Sequence, residues 1–199
     1  MNKDQLIELL YQGLETERGG IEVYTTAIDC AVNDDLRTEW QKYLEQTTHH
    51  EQVMTNVLTK LGCEVELETP GRAVVRHIGE SLVAAMEMAR TSGTPEAAEL
   101  VAGECVVSAE TKDHLNWELI RIAAEAADKK TAQILNEAAD EVEDEEDEHL
   151  YHTTGWTREL WLQSLGIESV LPPPEEQKHV TTAIGAARAK NAREEMASN

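Results

Sequence analysis

Asp140–Thr153 reads DEVEDEEDEHLYHT, and its meaning depends on the residues that flank it. Eight of the nine residues Asp140–Glu148 are acidic, the composition of a solvated helix face under self-repulsion. On three-and-four spacing, however, the segment belongs to a longer stripe: Leu135, Ala139, Val142, Glu146, His149, Thr153, Trp156 and Leu160. That stripe is largely apolar, and the pair Glu146-x-x-His149 sits in its middle. Residues three apart share a helix face, so both side chains are expected to turn towards the core.

Working outward, three more helical stripes break in the same way. The first runs through Leu10, Leu14, Glu17, Ile21, Tyr24, Ile28 and Ala31, with one carboxylate, Glu17. A second runs through Leu36, Trp40, Tyr43, Thr47, His50, Met54, Val57 and Leu61, and turns Thr47 and His50 inward. The third runs through Leu100, Gly103, Val107, Glu110, His114 and Trp117 and decays at Arg121, which places Glu110 and His114 together. A repeat links the halves: Glu17 precedes Tyr24 by seven residues, as Glu110 precedes Trp117. An ionised carboxylate in an apolar core costs several kcal/mol unless compensated. Two divalent cations would compensate it, because carboxylates bridge and neutralise metals while imidazole adds a neutral nitrogen suited to iron, manganese or zinc.

The chain between these stripes fixes their order. Asn33-Asp34-Asp35 is a turn that can cap a helix over about 36–61 after a first helix over about 2–31, and Gly62 closes the second. Gly62–Arg72, with Pro70 and Gly71, reads as a loop, and 74–90 is apolar enough for an extra crossover helix. Thr94-Pro95-Glu96 is a helix start, and Asp128 can cap a long helix towards Leu165, weakened at Gly155. Gly166 and Pro172-Pro173-Pro174 stop it. The expected architecture is all-α: residues 1–166 form a four-helix bundle with one long crossover carrying an extra helix. Residues 167–199 are a partly ordered C-terminal tail, which from Glu175 onward carries four acidic and four basic residues with weak periodicity.

Composition narrows the partners. With 199 residues one domain is expected, and with no Phe its core must be aliphatic with a few Trp and Tyr. A formal charge of −22 repels nucleic acid and anionic membranes and favours metal ions. Cys30, Cys63 and Cys105 are odd in number and form no C-x-x-C pair, which suggests neither a disulfide framework nor a thiolate site. The N-terminus MNKDQLIELL lacks a leader pattern, so a cytoplasmic location is expected.

Three segments carry a family resemblance. ETERGGIEVY (Glu15–Tyr24) has a Glu-x6-Tyr pattern, HEQVMTNVLTKLG (His50–Gly62) has the spacing of the end of a second bundle helix, and EDEH (Glu146–His149) holds the Glu-x-x-His pair. Over residues 5–62 and 95–165 the sequence resembles the rubrerythrin and bacterioferritin branch of the ferritin-like superfamily. The resemblance implies a di-iron carboxylate site of Glu17, His50, Glu110, Glu146 and His149, with Tyr24 hydrogen-bonded beside it as the candidate catalytic residue. It implies a homo-oligomer and a redox function on peroxide, O₂ or Fe(II), of peroxidase or ferroxidase type. It also implies electrons from another protein, since the rubredoxin-like centre of full-length rubrerythrins would need two C-x-x-C pairs.

The sequence departs from that pattern at Thr47, where the family's second helix carries an acid. His114, one turn beyond Glu110, is the expected replacement ligand. The alternatives are a weakened second metal position, a single-metal site, or a degenerate site in a structural or stress-associated bundle. An iron-storage protein, recognisable by its size as a cage, is the other functional alternative.

Overall fold

The computed structural model describes residues 1–197. Its helices are α1 (Lys3–Cys30), α2 (Asp34–Lys60), α3 (Pro70–Ser92), α4 (Pro95–Glu125), α5 (Lys129–Ser164), α6 (Pro174–Gln177) and α7 (Ala183–Ala197). No strand occurs among the described residues, so the chain is all-helical. Among the described residues no helix is long and apolar enough to cross a membrane.

Local chemistry sets the helix starts. The Asn2 and Asn33 side chains accept the free amides opening α1 and α2, and Thr69, Thr94 and Asp128 do the same for α3, α4 and α5. Pro70 and Pro95 occupy the first turn, where a missing N–H costs nothing. Gly62, at φ +78°, turns the chain out of α2 in a conformation that disfavours a Cβ. The Glu99 carboxylate accepts the Val32 and Asn33 amides at 2.7 and 2.6 Å and pins the α1–α2 turn to α4.

Two apolar clusters form the core. Leu6, Leu10, Leu14, Val53, Met54, Val57, Leu58, Trp117, Ile120, Leu135 and Val142 belong to the first. Val23, Tyr24, Leu36, Trp40, Tyr43, Met86, Val106, Trp156 and Leu160 belong to the second. Each fully buried large side chain contributes about 1.5–3 kcal/mol through apolar burial. Chain order within the clusters gives directions: α1 and α5 run from the first cluster to the second, and α2 and α4 run back. Helix α3 packs on α1 and α4. It approaches α1 closely at Gly19 and Gly79, where a Cβ on Gly79 would lie 3.5 Å from the Gly19 Cα.

Two features differ from the sequence expectation. Gly155 does not weaken α5, because Pro173 and Glu175 pack against it and occupy the space a side chain would need. Beyond Pro172 the described residues form α6 and α7, both in contact with α5: Val180 and Ala189 are buried, and Arg193 donates to the buried Glu159 at 2.8 Å, while 198–199 of the expected tail lie outside the described residues.

Candidate metal centre

Between the apolar clusters the four long helices α1, α2, α4 and α5 meet in a polar layer. Helix α1 brings Glu17, α2 brings Thr47 and His50, α4 brings Glu110 and Asp113, and α5 brings Glu146 and His149; none is more than 4% exposed. Gly20 makes room on α1 for the Thr47 methyl, to which a Cβ there would lie 3.1 Å away. The spacing of α4, Glu110-x-x-Asp113, repeats that of Glu146-x-x-His149 on α5.

The polar atoms of this layer face one another without ordinary hydrogen-bond partners. Glu17 Oε2, Glu110 Oε2, Asp113 Oδ1, both Glu146 oxygens and the Nδ1 atoms of His50 and His149 are all buried and unbonded. They lie close: His50 Nδ1 is 2.7 Å from Glu146 Oε1 and 3.9 Å from Glu17 Oε2, and His149 Nδ1 is 3.6 Å from Glu110 Oε2. Two sets fall within the span of a single ion, His50, Glu146 and His149, and Glu17, Asp113 and Glu146, with ligand atoms within 4.8 Å of one another. Glu146 is common to both sets, as a bridging carboxylate would be.

The outward atoms are bonded. His50 Nε2 lies 2.8 Å from Glu145 Oε2 and His149 Nε2 lies 3.0 Å from Gln46 Oε1. A carboxylate and an amide oxygen only accept, so we assign both protons to Nε2, which leaves both Nδ1 lone pairs facing inward. Oriented outer partners of this kind accompany metal-ligating histidines.

The aromatic residues of the repeat are exchanged between halves. Trp117, seven residues after Glu110, donates its indole N–H to Glu17 Oε1 at 2.9 Å. Tyr24, seven residues after Glu17, lies beside Glu110; burial, then the Glu110 charge, pushes its phenol well above the ordinary range. Its hydroxyl makes no hydrogen bond, and its ring meets that of His149 edge-on at 5.9 Å.

The electrostatics of the metal-free layer are those of an acid cluster without a counter-charge. Burial pushes Glu110 up to about 7. Burial, then the Glu110 charge, pushes Asp113 up to about 8. Burial and the neighbouring carboxylates push Glu17 and Glu146 well above their ordinary value. Burial lowers His149 to about 3, and burial with the adjacent His149 lowers His50 to about 4, so both imidazoles are neutral at pH 7.

Most of the residues expected from sequence come together: Glu17, His50, Glu110, Glu146 and His149 share the layer, with Tyr24 beside it. His114 is not brought in. Its side chain is 31% exposed and its Nδ1 lies 3.3 Å from Asp147 Oδ1. Asp113 takes the inward position instead, because the buried face of α4 runs through Val106, Glu110, Asp113, Trp117, Ile120 and Ala124. The stripe through Val107, His114 and Arg121 is this face displaced by one residue. Burial of Ile120 and exposure of Arg121 is the better apolar reading of the same sequence, and it leads to Asp113.

No family model matches the chain, and no curated protein or solved structure matches it.

The residues present fit a pair of divalent cations. Glu17, Glu110, Asp113 and Glu146 would carry four negative charges when ionised, and two divalent ions carry four positive charges. The two together would leave the layer neutral, and the unbonded oxygens and nitrogens would be its donor atoms. Mixed carboxylate and imidazole donors suit iron, manganese or zinc.

Proposed function

We propose that the chain is a ferritin-like di-metal carboxylate protein of the rubrerythrin and bacterioferritin type, acting in redox chemistry on peroxide, O₂ or Fe(II). The reading treats α1, α2, α4 and α5 as its four-helix bundle and α3 as a helix on the crossover; the up, down, down, up order of the long helices supports it. One observation carries the metal assignment. Seven buried, unbonded ligand atoms from four helices converge on one layer, and protein interiors rarely leave such atoms unpaired.

In this reading His50, His149 and Glu146 would hold one ion, Glu17, Asp113 and Glu146 would hold the other, and Glu110 closes the layer beside His149. Asp113 supplies the carboxylate that Thr47 does not. When iron is bound, the pair supplies one-electron steps and Lewis acidity towards a dioxygen or peroxide oxygen. The protein's own contribution is positional. Glu145 and Gln46 fix the imidazole orientations, Trp117 holds one Glu17 oxygen, and the apolar clusters above and below exclude water. Tyr24 keeps its proton on the hydroxyl beside Glu110, available as a donor at the site.

Anaerobic Fe(II) loading followed by elemental analysis tests the assignment. The expected result is two ions per chain, with fewer than two in Glu110→Ala and His149→Ala, and an optical change when O₂ or peroxide is added. Unchanged stoichiometry in both variants would sink the di-metal reading, and loaded protein inert to both oxidants would sink the redox function.

A further inference from the structure

A cleft of about 450 Å³ opens between α4 and α5. Its lining includes Glu146, which is 1% exposed and whose oxygens both lack a hydrogen bond. The cleft therefore ends against Glu146, the residue shared by both candidate ion sets, whose carboxylate oxygens lie buried just behind its wall. We infer that this cleft is the route by which hydrated divalent cations reach the buried layer, with His114 and Asp147 on its wall as a docking pair. The inference rests on the di-metal reading and adds to it how the ions arrive.

Size, charge and closure of the alternative face argue for it. A divalent ion with six waters occupies about 200 Å³ at roughly 30 Å³ per water, which the cleft accommodates. Its walls carry Glu118, Glu125, Glu143 and Asp147, while its guanidinium, Arg121, is held by Asp140 and Glu143. A cation gains from that field and an anion loses. On the opposite seam, rungs from α2 to α5 tie the surface shut: Lys42 to Glu148 at 2.8 Å and His49 to Glu141 at 2.9 Å. Beneath them lie the Glu145 and Gln46 bonds to the two imidazoles.

The docking pair has the chemistry of a temporary site. His114 Nδ1 and Asp147 Oδ1 are 3.3 Å apart, with side chains 31% and 15% exposed. One nitrogen and one carboxylate can replace two waters of a hydrated ion, and the solvent that reaches them keeps the rest of the shell in place. Asp147 directly follows Glu146 on α5, so the pair stands one helical step, about 100° around the axis, from the carboxylate shared by both sets. Thr182 and Ala183, from the chain entering α7, also line the cleft, which makes it possible to narrow the route without touching a ligand.

Anaerobic stopped-flow uptake of Co(II) by the full-length protein, followed through the visible absorption of bound cobalt, tests the route. Wild-type protein should bind two equivalents, at a rate that falls as ionic strength rises. His114→Ala and Ala183→Trp should each reach the same final stoichiometry about tenfold more slowly, whereas Glu141→Gln on the opposite seam should load at the wild-type rate. Wild-type rates in both cleft variants would overturn the route, as would equal slowing in Glu141→Gln. Loss of an equivalent in His114→Ala would make it a resident ligand and overturn the docking role. Wild-type protein that binds no cobalt would instead overturn the di-metal reading itself, a result distinct from normal stoichiometry at unchanged rates.

Discussion

Helix α5 buries two glutamates thirteen residues apart, Glu146 and Glu159, and their surroundings are opposite. Glu159 accepts from Arg158 and Arg193 at 2.8 Å and from the Val170 amide at 2.9 Å. Burial raises its pKa, but those donors outweigh burial and hold it below the ordinary carboxylate value. Glu146 has no donor, and burial and neighbouring acids push it far the other way. A partial form of the contrast separates Glu15, which is bound by Arg72 and Arg76, from Glu17 one half-turn later, whose Oε1 accepts only the Trp117 indole and whose Oε2 has no partner. Equal burial thus has two meanings: a paired carboxylate ties elements together, and an unpaired set facing inward carries an uncompensated electrostatic cost.

The comparison breaks most visibly under metal. Saturating divalent cation at a thousandfold excess over its Kd should stabilise the folded protein by about 4 kcal/mol per ion, read as a rise in Tm. Chelation should reverse it, and a Tm indifferent to metal and chelator would erase the distinction. At the paired site the expected cost is structural: Glu159→Ala leaves the Arg193 guanidinium without its anion and Arg158 with Glu175 alone, and should destabilise by about 3 kcal/mol in urea unfolding, with metal stoichiometry unchanged. A loss below about 1 kcal/mol would show that the tail's anchorage lies elsewhere.

The pH response of the metal-free protein separates the two kinds of acid further. Glu110 and Asp113 hold protons to about pH 7 and 8 when folded, and the unfolded chain would release them near pH 4. The folded state binds more protons in that interval, so its stability must fall as pH rises. His50 and His149 act in the opposite sense, but below pH 6.5, because they are neutral when folded and titrate near 6.5 when unfolded. Between pH 6.5 and 8 the histidine contribution fades and the carboxylates dominate, so stability should drop, by up to about 1.4 kcal/mol per pH unit for each proton. Denaturant midpoints of chelated protein check this. A midpoint constant or rising over that interval would contradict the protonated layer.

The smallest expected effect on stability is the most telling one for function. Glu146→Gln removes a carboxylate that nothing binds, so the metal-free variant should unfold within about 1 kcal/mol of wild type, yet it should bind no metal pair. Asp113→Asn should likewise fold normally and retain one ion of two. Two ions retained in Asp113→Asn would remove Asp113 from the ligand set.

Much of this was legible in the sequence, for reasons that particular residues make clear. The caps at Asn33, Thr94 and Asp128 act over three residues and need no tertiary information. The α5 stripe is buried at every position named, because large apolar groups at Leu135, Val142, Trp156 and Leu160 fix its phase. On α4 the small residues Ala98, Ala102 and Gly103 leave the phase loose, and a one-residue drift exchanges Asp113 for His114. The seating of the tail could not be read from periodicity, since α7 docks through single anchors such as Ala189 and Arg193 rather than along an apolar stripe. The exchange of Trp117 and Tyr24 between halves was hidden for another reason: the repeat gave the spacing but not the partner.

That exchange also equips the molecule with an optical handle. Trp117 is one of four tryptophans, and its indole N–H is bonded to an oxygen of Glu17. The excited indole is sensitive to the charge on its acceptor, and an unfilled metal d shell is an efficient quencher at such range. Emission from this residue should therefore dim as iron or cobalt arrives and stay bright with zinc. The chain would then announce, without any label, both that its centre is filled and with which kind of ion.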